Sequence, residues 1–518
     1  MAPKVDAVRA KQEIIKPKIQ EPTVLRQETT RVNFLNEQDK NLFLRQNNLG
    51  ADTLRISLFA RVPDDGGGSV AAADPKKVED AVNSIKSSLS EGFTDWDVTH
   101  GDLNNIRDTF RNLNAAEANQ VIERLSDGDI QKWVDELGGI NGGFNREEKQ
   151  QLFKELAGKL SGANLSRFAE ALGDDGFEAQ DFGRAVGQNA SAQTKVDFVR
   201  NMAGSVERRD GASEAVAEVI AGLGNNPAAM NQAIGALSDT QLQKLMENIS
   251  VKGISSPMGG YTIEYKGELL SKMLDAVAKS NDPDVKARVF NAAAMQLKSI
   301  EDSPSIIPGT AIIGKGDAAA RIRDSLTNVI NSDTVGIMTS LEHNYRNGEG
   351  ITAYAKSMLN GGKTSELGQI VARLSKGNDL TGDPLARFGT QVRGTDGNPH
   401  YQNAQVLGYF AGALFGGAKQ ITGDRTKQAD MLKNVFGTIA GGVGALNPPA
   451  GIASSIVNGL TQTIVNQVTD AVNNGTMDMQ EALQKLLFPR NTETGALYEG
   501  AAEADFDSAF SRVVLRNQ

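Results

Sequence analysis

From Pro75 onward, apolar residues recur every three or four positions and helix formers replace the polar, Pro- and Gly-rich composition that precedes them. That spacing is the period of an amphipathic helix, so the pattern predicts an all-α chain from there to the end. Residues 1–75 read differently. They hold long polar runs and the tract PDDGGGSVAAADP from Pro63 to Pro75, which offers too little apolar surface to offset the entropy of ordering. A disordered N-terminal arm is expected, with Leu54 to Val62 as one apolar docking segment.

Within the helical region a degenerate unit recurs. Leu125-Ser126 is followed by Ile130, Trp133 and Leu137; Leu160-Ser161 by Leu165, Phe168 and Leu172; Leu237-Ser238 by Leu242, Leu245 and Ile249. The spacing is the same in all three. It predicts that the leucine closes one helix and the serine caps the next, with Asp129, Asn164 and Gln241 as partners at the third helical position. The interval from Leu160 to Leu237 is about twice that from Leu125 to Leu160, leaving room for an eroded unit around Thr194 to Leu223. Helix pairs at this period stack into an array that serves either as a concave binding surface or as a scaffold. Between residues 251 and 325 the helical period lapses. Tyr261 to Tyr265 alternates like a strand, SPSIIPGTAIIGKGD suggests a small hairpin or lid, and Gly314-Lys315-Gly316 reads as a flexible turn, too short for a phosphate loop.

The C-terminal half carries two uncharged stretches, Gly397 to Ala418 and Asn434 to Thr469. In the first, Val406, Leu407, Phe410 and Leu414 share one side of a helix, and Gly408, Gly412 and Gly416 form a smooth stripe. A glycine inside a helix costs about 1 kcal/mol relative to alanine, and the usual compensation is a partner helix that comes close. The second stretch contains Gly437 and Gly441 and is divided by Pro448 and Pro449, which predicts a helical hairpin. Its arms, Val435 to Leu446 and Ile452 to Val468, rise roughly 18 and 25 Å, short of the roughly 30 Å hydrocarbon layer. A buried hairpin, a membrane-active hairpin and an oligomer interface all remain open.

Composition narrows the function classes. A net charge of −10 over 518 residues disfavours a nucleic-acid binder, since phosphate contacts need a surplus of Lys and Arg. The absence of cysteine excludes disulfides and thiolate chemistry, and it fits passage through an oxidising space or unfolded threading through a secretion channel. The opening residues lack an apolar core of about 7 to 15 positions, so the expected export is leaderless. His100, His343 and His400 have no second histidine at ligand spacing, and the acidic pieces SDGD and GDDGFEAQD lack the calcium-loop pattern, so neither a metal nor a cofactor is expected.

The DWDVTHGDL and LSDGDIQKWVDELGG block, LGYFAGALFGGA, and the block from KQADMLKNVFGTIAGGVG to PPAGIAS resemble helical regions of exported proteobacterial proteins. Those are effectors, translocators and polymorphic toxins of injection-type secretion systems. The resemblance implies export, action outside the producing cell, and a helical body that delivers or inserts. The expected partners are a secretion chaperone or the secretion apparatus and, through the uncharged hairpin, a membrane.

One constellation suggests catalysis. Glu342-His343 ends an apolar helix beside a Gly-rich loop with Glu349, and Tyr345 and Tyr354 lie nearby in sequence. Two carboxylates flanking a cleft can cleave a glycosidic bond. The competing reading makes them helix-end residues, His343 favouring the negative C-terminal dipole. The expected division is an N-terminal arm (1–75), a helical repeat-like domain (76–250), a mixed connecting region (251–325), a C-terminal bundle with the uncharged hairpin (326–488) and a tail (489–518). The expected function is that of an exported effector or translocator-like protein; the alternatives are a scaffold or binding protein, and a glycan hydrolase using Glu342.

Overall fold

Capping chemistry sets the first helix boundaries. The computed structural model describes residues 72–90, 98–138, 143–173, 176–255, 261–376, 391–393, 399–442, 470–474, 477–478, 480–483 and 501–517, all within one compact unit, Val70–Gln518. The first helices are α1 (Pro75–Leu89), α2 (His100–Arg111), α3 (Ala115–Arg124), α4 (Asp127–Leu137), α5 (Arg146–Lys159) and α6 (Gly162–Leu172). They continue with α7 (Gly176–Asn189), α8 (Ala192–Val206), α9 (Asp210–Ala221), α10 (Pro227–Gly235) and α11 (Asp239–Ser250).

All three Leu-Ser junctions are helix-to-helix turns. Ser126 Oγ accepts the Asp129 amide at 3.1 Å while the Asp129 carboxylate accepts the Ser126 amide at 2.9 Å, a complete capping box at the start of α4. Ser238 and Gln241 repeat it at α11. The middle junction departs from the expectation. Ser161 still caps α6, but Asn164 turns its amide to Asn119 Oδ1 at 2.8 Å, and the same Asn119 oxygen accepts the Ser161 amide at 2.7 Å. A residue of the neighbouring unit thus replaces the local partner. In the interval where an eroded unit was expected, Ser191 caps α8 through the Thr194 amide.

Helices two apart in sequence pack side by side: α4 on α6, α6 on α8, α5 on α7, α7 on α9. Apolar residues of the repeated unit form the seam, with Trp133 edge-on between Phe110 at 6.4 Å and Phe168 at 5.1 Å. Arginine clamps join successive layers. Arg167 on α6 donates to the carbonyls of Ile122 and Leu125 at 2.7 and 2.9 Å and to the Asp127 carboxylate, so one guanidinium closes α3 and grips the start of α4. On the following element α13 (Pro283–Asp302), Arg288 makes the same set of contacts with Ile234, Leu237 and Asp239. Carbonyls at a helix end lack intrahelical donors, and the guanidinium fork supplies them. At the middle junction glycine stands where the others have aspartate. A Cβ on Gly162 would lie 2.5 Å from the Phe198 amide nitrogen, so α8 closes that junction by direct approach.

After α11 the chain forms β1 (Val251–Ser255) and β2 (Tyr261–Tyr265), then α12 (Glu268–Val277), α13, and β3 (Thr310–Ile313). The sheet order is β1-β2-β3, antiparallel between β1 and β2 and parallel between β2 and β3. The segment read as a hairpin therefore supplies a parallel edge strand and an isolated antiparallel bridge, Ile307 to Thr310. The Gly314-Lys315-Gly316 run is also more ordered than a flexible turn. Gly314, at φ 73°, is the left-handed N-cap of α14 (Lys315–Ser332).

The stack continues through α15 (Thr334–Asn344), α16 (Glu349–Asn360) and α17 (Thr364–Lys376), and a short pair, β4 (Gln391–Arg393) and β5 (Pro399–Tyr401), leads into α18 (Gln402–Ile421) and α19 (Arg425–Gly442). The last helix is α20 (Ala501–Arg516), inside the stretch read as a tail. The chain is all-α, a repeat-like array with a Gly-rich C-terminal bundle. The expected N-terminal arm falls outside the described residues up to residue 71, as do Pro448, Pro449 and the second arm of the uncharged hairpin.

Candidate functional site

The glycine stripe of α18 meets two partners. A Cβ on Gly408 would lie 2.1 Å from the Phe506 carbonyl oxygen, and one on Gly412 would lie 2.8 Å from that of Phe510, so α20 presses its backbone onto the stripe. One turn later the partner is α16: a Cβ on Gly416 would be 3.2 Å from Thr352 Cγ2, and one on Gly417 would be 2.8 Å from the Lys356 amide nitrogen. Alanine or larger at the first two positions would force the helices apart, which accounts for the glycines despite their helical cost. Phe506, Phe510 and Val513, at helical spacing, bury the apolar face of α20, and Phe415 stacks on Phe510 at 5.9 Å.

Polar groups lock the ends of this seam. Asp505 on α20 is buried; it accepts the Tyr401 amide at 2.6 Å and lies 2.7 Å from His400 Nδ1. At the other end Arg512 donates to Glu342 Oε1 at 3.1 Å, and Asn517 donates to the Asn347 carbonyl at 2.8 Å. Between them the Tyr409 hydroxyl donates to the Tyr345 carbonyl at 2.8 Å. Burial drives the Tyr409 phenol far above its ordinary range, with the negative Glu342 adding to the effect. The Asp507 carboxyl is also pushed up, by burial and by the charges of Glu503 and Asp478, against the opposing hydrogen bond from Gln480.

The carboxylates considered for glycan cleavage are placed by these joins. Glu342 is 12 % exposed and paired with Arg512. His343 is exposed at the end of α15, and Glu349 opens α16 behind Gly348, a left-handed N-cap at φ 67°. A carboxylate in the first helical turn is favoured by the dipole. Tyr354 is fully buried and its hydroxyl sits 2.8 Å from Thr327 Oγ1. Cavities of about 660 and 810 Å³ open elsewhere on the array, and neither is lined by Glu342, His343 or Glu349.

Gly437 and Gly441 lie in α19, whose preceding turns bury Ala429, Leu432 and Val435 while the helix packs on α17 and α18. Among the described residues, no helix is long and apolar enough to cross a membrane, and no group of three or more His, Asp or Glu side chains gathers as metal ligands do. Sequence reasoning missed Asp505 and Arg512. The signal that finds them is the apolar spacing of Phe506, Phe510 and Val513, which marks a packing helix in the last segment. No family model matches the chain, and no curated protein matches it.

Proposed function

We propose that the protein acts by recognition, as the helical-array scaffold of an exported bacterial effector or translocator-like system. The observation that carries this reading is the pair of arginine clamps at Arg167 and Arg288, which tie successive layers into a continuous stack. Stacked helix pairs offer extended surfaces to partners, and a secretion chaperone or the secretion apparatus is the partner class this reading implies. The α18–α20 seam supports it as well, because the glycine stripe is filled from within the chain.

A translocator that engages lipid through its C-terminal bundle is the second reading, favoured by the uncharged stretch from Asn434 to Thr469. Dye release from anionic vesicles at neutral pH separates the two. The scaffold leaves vesicles sealed, whereas rapid release by the wild-type protein would move the conclusion to the translocator. Cleavage of a cell-wall glycan that disappears in Glu342→Gln would instead make the protein a hydrolase.

A further inference from the structure

Four of the five large apolar side chains exposed among the described residues lie on or beside the small sheet: Ile254 at 43 %, Tyr261 at 45 %, Ile306 at 86 % and Ile313 at 48 %. Strand register places two of them together: Ile254 pairs with Thr262, Thr262 with Ala311, and Glu264 with Ile313, so Ile254 and Ile313 share the outward face, while Tyr261, Ile263, Tyr265 and Ile312 belong to the opposite face and Ile306 precedes β3. A half-covered sheet ordinarily keeps its outer face polar. Single exposed hydrophobic residues are ordinary, but a group of them marks a contact surface.

Beside this face opens the 660 Å³ cavity, lined among others by Ser305, Ile312, Lys315, Arg323 and Lys356. Chain neighbours divide between the two: Ser305 lines the cavity and Ile306 is exposed, Ile312 lines the cavity and Ile313 is exposed. Two carboxylates also line it, and both are matched. Asp302 pairs with Lys356 at 2.7 Å, and Glu301 accepts the Ser357 hydroxyl and lies 3.8 Å from Arg323.

Lys315 is the cation left over. It donates to the Ser303 carbonyl and, among the described residues, has no carboxylate within ion-pair reach. It also opens α14, where the glycine N-cap provides no side-chain acceptor for the first amides and only Asp317 offsets the positive end of the dipole. Arg323 Nε is buried without a hydrogen-bond partner.

We infer that this corner docks on an anionic phospholipid surface. A lipid phosphate is held against Lys315 and the N-terminus of α14, and Ile306 and Ile313 enter the boundary of the acyl region. Apolar insertion combined with local positive charge is the general basis of interfacial binding, and it operates despite the acidic net charge because the attraction is short-ranged in salt. The site uses no residue of the uncharged Asn434–Thr469 stretch and does not depend on the function proposed above; it predicts docking without leakage.

Flotation of the full chain with vesicles of phosphatidylcholine, with and without phosphatidylglycerol, tests the inference. The wild type should float with the anionic vesicles only. Ile306→Asp should lower partitioning by at least about tenfold, the consequence of losing one buried isoleucine. Lys315→Gln should weaken binding to the anionic vesicles. Ile306 is exposed, so its variant should melt like the wild type; if it melts early, Lys315→Gln carries the comparison. No flotation of the wild type, or flotation of both variants equal to that of the wild type, overturns the inference. A thermal shift with glycerol 3-phosphate in the absence of flotation also overturns it, assigning the cavity to a soluble phosphate compound.

Discussion

The carbonyl oxygen of Phe506 occupies space that a Cβ on Gly408 would need, at 2.1 Å from the ideal position. Two helices nearly one hundred residues apart are thus fitted by the absence of a side chain. Gly408→Ala should lower stability in a urea melt, with the cost of overpacking, about 1 to 3 kcal/mol, exceeding the gain in helix propensity of about 1 kcal/mol. Gly412→Ile should behave likewise and leave anionic vesicles sealed. Gly204→Ala, in α8 with nothing within 4 Å of the added Cβ, should instead stabilise. An unchanged melt for Gly412→Ile would mean that the seam does not form in solution.

Removal of an arginine clamp should cost more than removal of its acidic partner. Arg288→Met leaves the Ile234 and Leu237 carbonyls without their donor, a loss of about 1 to 3 kcal/mol, whereas Asp239 is largely exposed and Asp239→Asn should cost little. Equal losses in the two melts would show that the ion pair, and not the helix-end carbonyls, dominates.

Ser126→Ala and Ser238→Ala should each cost about 1 kcal/mol, the usual loss for an N-cap. At the middle junction Asn119→Ala should match or exceed Ser161→Ala, because Asn119 serves both the Ser161 amide and the Asn164 side chain. A neutral Asn119→Ala would remove the cross-unit cap.

Asp507, which accepts a hydrogen bond from Gln480, gives α20 a defined pH response. Its folded-state pKa is raised above the ordinary carboxylate value of 3.8, first by burial. Protonated Asp507 therefore contributes stability that is fully present below pH 3.8 and is lost as pH rises through the folded pKa. Asp507→Asn should raise the melting temperature at neutral pH and lose this advantage in acid. A variant whose advantage stays constant across that window would rule out titration of Asp507 as the cause.

Local rules were the legible part of the sequence. Leu-Ser spacing revealed the helix junctions because a cap is satisfied within three residues, and the glycine stripe announced a close neighbour. The identity of that neighbour lies in contacts between distant positions: Glu342 and Arg512 are 170 residues apart, and His400 and Asp505 are 105 apart. The clamps escaped notice for the same reason, since Arg167 reaches Leu125 across 42 positions and nothing local distinguishes it from a solvated arginine. Asn164 shows the reverse error: a residue with correct local spacing is recruited by Asn119 of another unit.

The α18–α20 seam also imposes an order of events. The array grows through contacts between helices one or two elements apart, which close short loops and form quickly, whereas α20 can reach α18 only after a far longer loop has closed. The part of the α18 face around Gly408 and Gly412 is therefore expected to be covered after the neighbouring helices have packed, so during refolding the amides of α20 should gain hydrogen-exchange protection later than those of α5 to α9.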